Sequence, residues 1–353
     1  MCSLHQQVDP ADTLREAGLD VRPLPRHGNP TPAAVRQAIA DRSGPMVFPG
    51  LSDSWPARTR WTPENLAGTH GRRPVTALMG LPASGVLFPQ DQKNYERTLP
   101  FAEFVHTMLT TPADSPCYLA YTRAAELFPA CDYDFEPLSG GLPDGTDTRV
   151  WIGSAGTRSM LHSDLKDNFF CQIWGEKHVV LVPWEHARDV YPFPGNLVNS
   201  QVDLMDPDLD RFPRLRRAVF YAGTVGPGDV LFMPRGCWHD IRARTPSVSV
   251  NHWFGRPMTA ADYASLLLRS GPRYWAATAR DFVAHGLLRR REQTTFFFSP
   301  PSTGKRLFDL LRWGDFSREN DPATDASREK VPAPEPAPAP APGPADDRSG
   351  RTP

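Results

Sequence analysis

Between Ser159 and Pro183 the chain reads Ser-Met-Leu-His-Ser-Asp-Leu-Lys-Asp-Asn-Phe-Phe-Cys-Gln-Ile-Trp-Gly-Glu-Lys-His-Val-Val-Leu-Val-Pro, and no other stretch restricts the fold as tightly. Two β-rich runs, Asn168 to Ile173 and Lys177 to Val182, flank Trp174-Gly175-Glu176, which has the chemistry of a turn. Side chains on a strand alternate between faces, so His162 and Asp164 share one face, an imidazole and a carboxylate with one residue between them. That pair is half of a metal site. A second imidazole in an equally strand-like setting is His239, in Gly228-Asp-Val-Leu-Phe-Met-Pro-Arg-Gly-Cys-Trp-His-Asp. Two histidines and one carboxylate form the facial set that leaves positions open on Fe(II) for oxygen and a cosubstrate.

Lys177 opens the return strand, which is expected to double back beside the strand of His162. A lone ammonium inside a barrel is costly unless it meets an anion, and the distal carboxylate of a dicarboxylic keto acid would satisfy it. In the later run Ser247-Val-Ser-Val-Asn-His-Trp-Phe, a period of two puts Ser249 and Asn251 on one face and Val248, Val250 and His252 on the other. A polar face of this kind suits a wet, ligand-filled barrel interior.

His162-x-Asp164, Asn168-Phe-Phe, Gly175-x-Lys177, Pro227-Gly-Asp-Val-Leu-Phe-Met-Pro, Trp238-His239 and Ser249-Val-Asn251-His-Trp253-Phe occur in this order. The series resembles the JmjC or cupin-like Fe(II)- and 2-oxoglutarate-dependent hydroxylases, the group that includes the asparaginyl hydroxylase of hypoxia signalling. The resemblance runs from about Tyr118 to Phe254, and it is weaker upstream, where an apolar strand precedes Trp55-Pro56-Ala57 and Trp61. It implies a mainly β fold with flanking helices, a double-stranded β-helix or jelly-roll barrel. It also implies that His162, Asp164 and His239 bind iron, that Lys177 and Ser159 hold the far carboxylate of 2-oxoglutarate, and that Tyr118, Asn168 and Asn251 are further polar contacts. The implied reaction consumes O2 and 2-oxoglutarate, releases succinate and CO2, and hydroxylates an amino-acid side chain in a protein or peptide. Relatives of this kind also act on small molecules or a modified tRNA base, and in relatives C-terminal helices often pair two subunits.

Composition narrows the remaining classes. Of 353 residues 40% are hydrophobic, enough for a sizeable core, and the net charge of -1 gives no global field to draw nucleic acid or an anionic membrane. The runs Arg211 to Arg217 and Arg289 to Arg291 read as solvated surface. Five cysteines without a Cys-x-x-Cys pair fit neither a disulfide framework nor a zinc cluster, and Cys171 and Cys237 near the ligands read as buried thiols. With no secretory leader pattern and no apolar run of membrane-spanning length, a cytoplasmic location is expected.

Along the chain, residues 1–30 read as a flexible, proline-interrupted segment and 31–114 as an α/β part capping the barrel. The barrel itself is expected at 115–256, a helical region at 257–316 and a disordered Pro/Ala-rich tail at 317–353. Within this scheme Val75 to Met79 and Gly85 to Phe88 read as strands, Pro100 to Leu109 as a helix, 128–147 as a long loop, and Pro192 to Arg217 as a looped insertion. The aspartates of that insertion, Asp203, Asp206, Asp208 and Asp210, lack the Gly and terminal Glu of a calcium loop. The helices from Thr259 to Trp313 fit either a homodimer contact or packing on the chain's own barrel. Two other classes share these features: a non-oxygenase metal-binding cupin, which would not need Lys177, and a catalytically silent interaction protein of the same fold.

Overall fold

Alternation of apolar and polar residues builds fifteen strands among the described residues, 8–82, 92–141, 146–255, 259–290 and 302–314 of a computed structural model. In chain order they are β1 (Asp20–Pro23), β2 (Met46–Phe48), β3 (Pro74–Leu78), β4 (Glu96–Pro100), β5 (Tyr118–Arg123), β6 (Asp147–Gly153), β7 (Arg158–Ser163) and β8 (Asp167–Trp174). Then come β9 (Lys177–Val182), β10 (Pro192–Phe193), β11 (Asn196–Ser200), β12 (Val219–Val225), β13 (Val230–Met233), β14 (Trp238–Ala243) and β15 (Ser247–Phe254). They form a 7-stranded sheet, β1-β12-β9-β14-β7-β11-β10, and an 8-stranded sheet, β2-β13-β8-β15-β6-β5-β3-β4. This is the expected jelly roll with flanking helices.

Each sheet is apolar on its outer face and is covered there. Phe169, Cys171, Ile173, Val248, Val250 and Phe254 of the larger sheet pack under Trp55, Trp61, Phe101 and Phe104 from the N-terminal part. Leu161, Val180, Val182, Phe220 and Trp238 of the smaller sheet pack under Leu14, Val202, Leu204 and Leu215. A third cluster, with Phe170, Val179, Leu181, Leu231, Met233 and Ile241, fills one part of the space between the sheets. The outer faces thus carry most of the hydrophobic stabilisation, and part of the interior is left for polar residues.

Several elements differ from the sequence expectation. The N-terminal segment is not featureless: Pro10–Glu16 is a helix, α1, whose N-cap Asp9 accepts from the Ala11 amide at 2.8 Å, and β1 pairs in parallel with β12. The insertion from Pro192 to Arg217 is more than a loop, since it supplies β11, which pairs with β7 through Asn199 opposite His162. Within it Asp203 is committed to Arg158 at 2.7 Å, and Asp208 accepts from the amides of Asp210 and Arg211. The span 128–147 carries the short helix Glu136–Ser139 in its described part. β9 does not lie beside β7, because β14 separates them. The turn at Gly175 is therefore a corner that carries the chain from the larger sheet to the smaller. The expected strand at Gly85 to Phe88 and the tail 317–353 lie outside the described residues.

The C-terminal region forms helices at Ala260–Ser270, Pro272–Asp281 and Thr303–Trp313. They pack on their own barrel: Leu165, next to Asp164, packs against Leu310, as do Leu267 and Leu307, and the Thr303 amide donates to the Gly195 carbonyl at 2.9 Å. No helix among the described residues is long and apolar enough to cross a membrane.

The sheet-to-sheet corner depends on a missing side chain. Gly175 has φ +74, and a Cβ there would lie 2.1 Å from the Pro246 carbonyl oxygen. Gly175→Ala should therefore cost more than about 3 kcal/mol or prevent folding. Gly18→Ala, with a similar φ of +76 and open space around it, should cost only about 1 kcal/mol. Urea denaturation of the two variants checks this, and equal losses would contradict the corner's tightness.

Candidate metal centre

β7 and β14 are antiparallel neighbours, and their register sets His162 directly opposite His239. The two rings lie 4.1 Å apart between centroids, and Asp164 follows at the end of β7. One ligand atom from each of His162, Asp164 and His239 falls within 4.8 Å of the others. His162 Nδ1 lies 2.5 Å from the Met160 carbonyl oxygen and His239 Nδ1 lies 3.1 Å from that of Cys237. A carbonyl oxygen only accepts, so both Nδ1 atoms carry the proton and both Nε2 atoms keep a free lone pair. Burial, and then the neighbouring His162, push the His239 imidazole down to about 4, so it is neutral at pH 7, as a metal ligand must be. Two imidazoles with free Nε2 atoms and a carboxylate fit a divalent metal with open positions. Burial pushes the thiols of Cys171 and Cys237 up, and neither belongs to the cluster of converging ligand atoms.

Ser159 and His162 are three residues apart, and strict alternation would put them on opposite faces. The register prevents this: Ile241 pairs with Ser159 and His239 with His162, so β7 holds one residue more than β14 in this interval. That bulge brings both side chains to the interior. There Ser159 shares a hydrogen bond with the phenol of Tyr118, whose titration burial pushes far upward.

Lys177 is 2% exposed. Its Nζ donates to Ser249 Oγ at 2.7 Å and lies 5.3 Å from the Phe170 ring centroid and 5.9 Å from that of Tyr118. No carboxylate is paired with it among the described ion pairs, and burial alone lowers its pKa from 10.5 to about 7. Asn168 and Asn251 occupy the same interior but contact each other and the metal centre. Asn251 Nδ2 donates to Asn168 Oδ1 at 3.1 Å, and Asn168 Nδ2 donates to Asp164 Oδ2 at 2.9 Å.

The sequence places Ser249 on the polar interior face without assigning it a partner, and it assigns Trp253 no role. Ser249 is the direct partner of Lys177, and Trp253 Nε1 donates to Asp164 Oδ2 at 2.7 Å. Continuing the period of two from Ser249 and Asn251 reaches Trp253, so the signal was present. Arg149, opposite Asn251 on β6, is a further buried polar residue, whose guanidinium sits 3.8 Å over the Tyr121 ring and pairs with Asp147 at 2.7 Å. Alternation of Asp147, Arg149 and Trp151 against Val150 and Ile152 would have pointed to it.

Residues 32–260 match the family model described as a cupin-like domain. Among curated proteins, the chain is 31% identical over 217 residues to lysine-specific demethylase 8 of Xenopus tropicalis, covering 60% of this chain and 48% of that protein. It is 28% identical over 268 residues to HSPB1-associated protein 1 of Rattus norvegicus, covering 68% and 53%. It is 29% identical over 226 residues to lysine-specific demethylase JMJ30 of Arabidopsis thaliana, covering 60% and 49%. The matched part spans about half the length of these relatives. The family match, the two-sheet barrel and the relatives agree: this chain belongs to the cupin-like, JmjC-type family.

Proposed function

We propose that the chain is an Fe(II)- and 2-oxoglutarate-dependent dioxygenase that hydroxylates an amino-acid side chain in a protein or peptide. The observation that carries this reading is a buried lysine with no counter-ion among the described residues, in the same barrel interior as two histidines and an aspartate whose ligand atoms converge. A metal-binding cupin of another chemistry has no use for such a lysine, whereas a dicarboxylate with one end at the metal gives it an anion. When bound, iron with 2-oxoglutarate and O2 supplies the oxidising chemistry, leaving succinate and CO2.

The chain's own residues supply the rest. His162, His239 and Asp164 would hold the metal from one side. Lys177, with Ser249 holding its Nζ, would pair with the distal carboxylate, and Ser159 and Tyr118 would line the same end. The rings of Phe170 and Tyr118 keep water from the ammonium, which strengthens its attraction for an anion. The names of the relatives support a protein substrate, two being lysine-specific demethylases. Removal of an N-methyl group starts with the same C–H hydroxylation, so demethylation of a methylated lysine is the second reading.

Anaerobic addition of Fe(II) and 2-oxoglutarate should produce their charge-transfer absorption band, and peptide screening should yield succinate with one oxygen gained by the peptide. Release of formaldehyde from methyl-lysine peptides would instead favour demethylation. Asp164→Ala should abolish succinate formation, and turnover retained at the wild-type rate would contradict its role as a ligand.

Lys177 also predicts a pH dependence. Its folded pKa of about 7 lies below the unfolded value of 10.5, so between those limits the unfolded chain binds more protons and this residue's contribution to stability rises with pH. In Lys177→Met that rise should vanish from thermal melts of the metal-free protein, and 2-oxoglutarate binding should be lost. Unchanged 2-oxoglutarate affinity in the variant would contradict the assignment.

A further inference from the structure

Asp164 Oδ2 receives two N–H donors, Trp253 Nε1 at 2.7 Å and Asn168 Nδ2 at 2.9 Å. An ionised carboxylate only accepts, so Asn168 must present its amide nitrogen to Asp164 and its Oδ1 to the other side. There Asn251 Nδ2 donates to that Oδ1 at 3.1 Å and fixes the amide's orientation. Asn168 is 1% and Asn251 5% exposed, so water does not compete freely for these groups. Asn251 and Trp253 lie on one face of β15, and β8, which carries Asn168, is its hydrogen-bonded neighbour. The donors are thus mounted on two adjacent strands of the sheet opposite the one that carries both histidines.

We propose that Trp253, Asn168 and Asn251 form a relay that orients the Asp164 carboxylate for metal binding, so that all three are positioning residues. This rests on the metal site of the proposed function. It gives Asn168 and Asn251 a role as supports of the metal ligand, beside the cosubstrate contacts that the family resemblance implies for them. Asp164 lies beyond the end of β7, where no strand pairing holds its side chain. The relay is what joins this carboxylate to the opposite sheet.

The test is Co(II) titration of the metal-free full chain, read by affinity and by the visible Co(II) absorption, with the melting temperature of the metal-free protein as a control for folding. Wild type should bind one Co(II), and His162→Ala should lose that binding. Trp253→Phe, which keeps an aromatic ring and removes the N–H donor, should weaken Co(II) on the order of tenfold or more and shift the band, with the metal-free melting temperature within a few degrees of wild type. Asn251→Asp should do the same, since a carboxylate there cannot donate and would turn the Asn168 amide oxygen toward Asp164. This second variant decides the matter if the first fails to fold. Affinities within twofold of wild type and an unshifted band in the folded variants would overturn the relay while leaving the metal site intact. Equal Co(II) binding by wild type and His162→Ala would instead overturn the metal site, and the relay with it.

Discussion

The pairing of β14 with β7 is the constraint from which the site follows. In register, it places His239 across from His162 and Trp238 across from Ser163. Trp238 faces the outer core with Leu161 and Phe220, where its burial anchors the strand. A slip of one residue would turn Trp238 inward and His239 outward, so the apolar packing outside the barrel and the imidazole pair inside it are fixed by the same register. The extra residue in β7 then adds Ser159 to the interior without disturbing that match.

A polar interior is tolerable only where its groups are paired. Most are: His162 and His239 donate to backbone carbonyls two residues before them, Asp164 accepts from Asn168 and Trp253, and Ser159 bonds to Tyr118. Lys177 stands apart, with a neutral hydroxyl as its hydrogen-bond partner and two aromatic faces beside it. A folded chain that keeps an ammonium in such a place gives up stability near neutral pH. An anionic ligand that removes the penalty on binding gives a physical reason to keep it.

How much of this was legible in the sequence varied with the range of the interaction. The His-x-Asp pair, the later His239 and the polar face of Ser249 and Asn251 were readable because strand alternation is local, and the structure brings these side chains into one interior. The neighbour of β9 is not legible locally, because a hairpin and a corner between sheets share the same turn chemistry around Gly175. The common orientation of Ser159 and His162 depends on a bulge that no spacing rule reveals. β1 and β11 are short, near prolines or glycines, and take their strand form from partners distant in the chain, Val219 to Ala222 and His162. Helix α1 was hidden by the proline-rich run that follows it, although Asp9, Pro10, Ala11 and Leu14 carry a cap, a first-turn proline and a buried stripe.

The most direct measurement is the anomalous scattering of manganese(II) soaked into crystals under anaerobic conditions. One strong peak is expected within bonding distance of His162 Nε2, His239 Nε2 and an Asp164 carboxylate oxygen, with the Nδ1 bonds to Met160 and Cys237 intact. A peak elsewhere, or imidazoles turned to bind through Nδ1 with those backbone bonds broken, would contradict it.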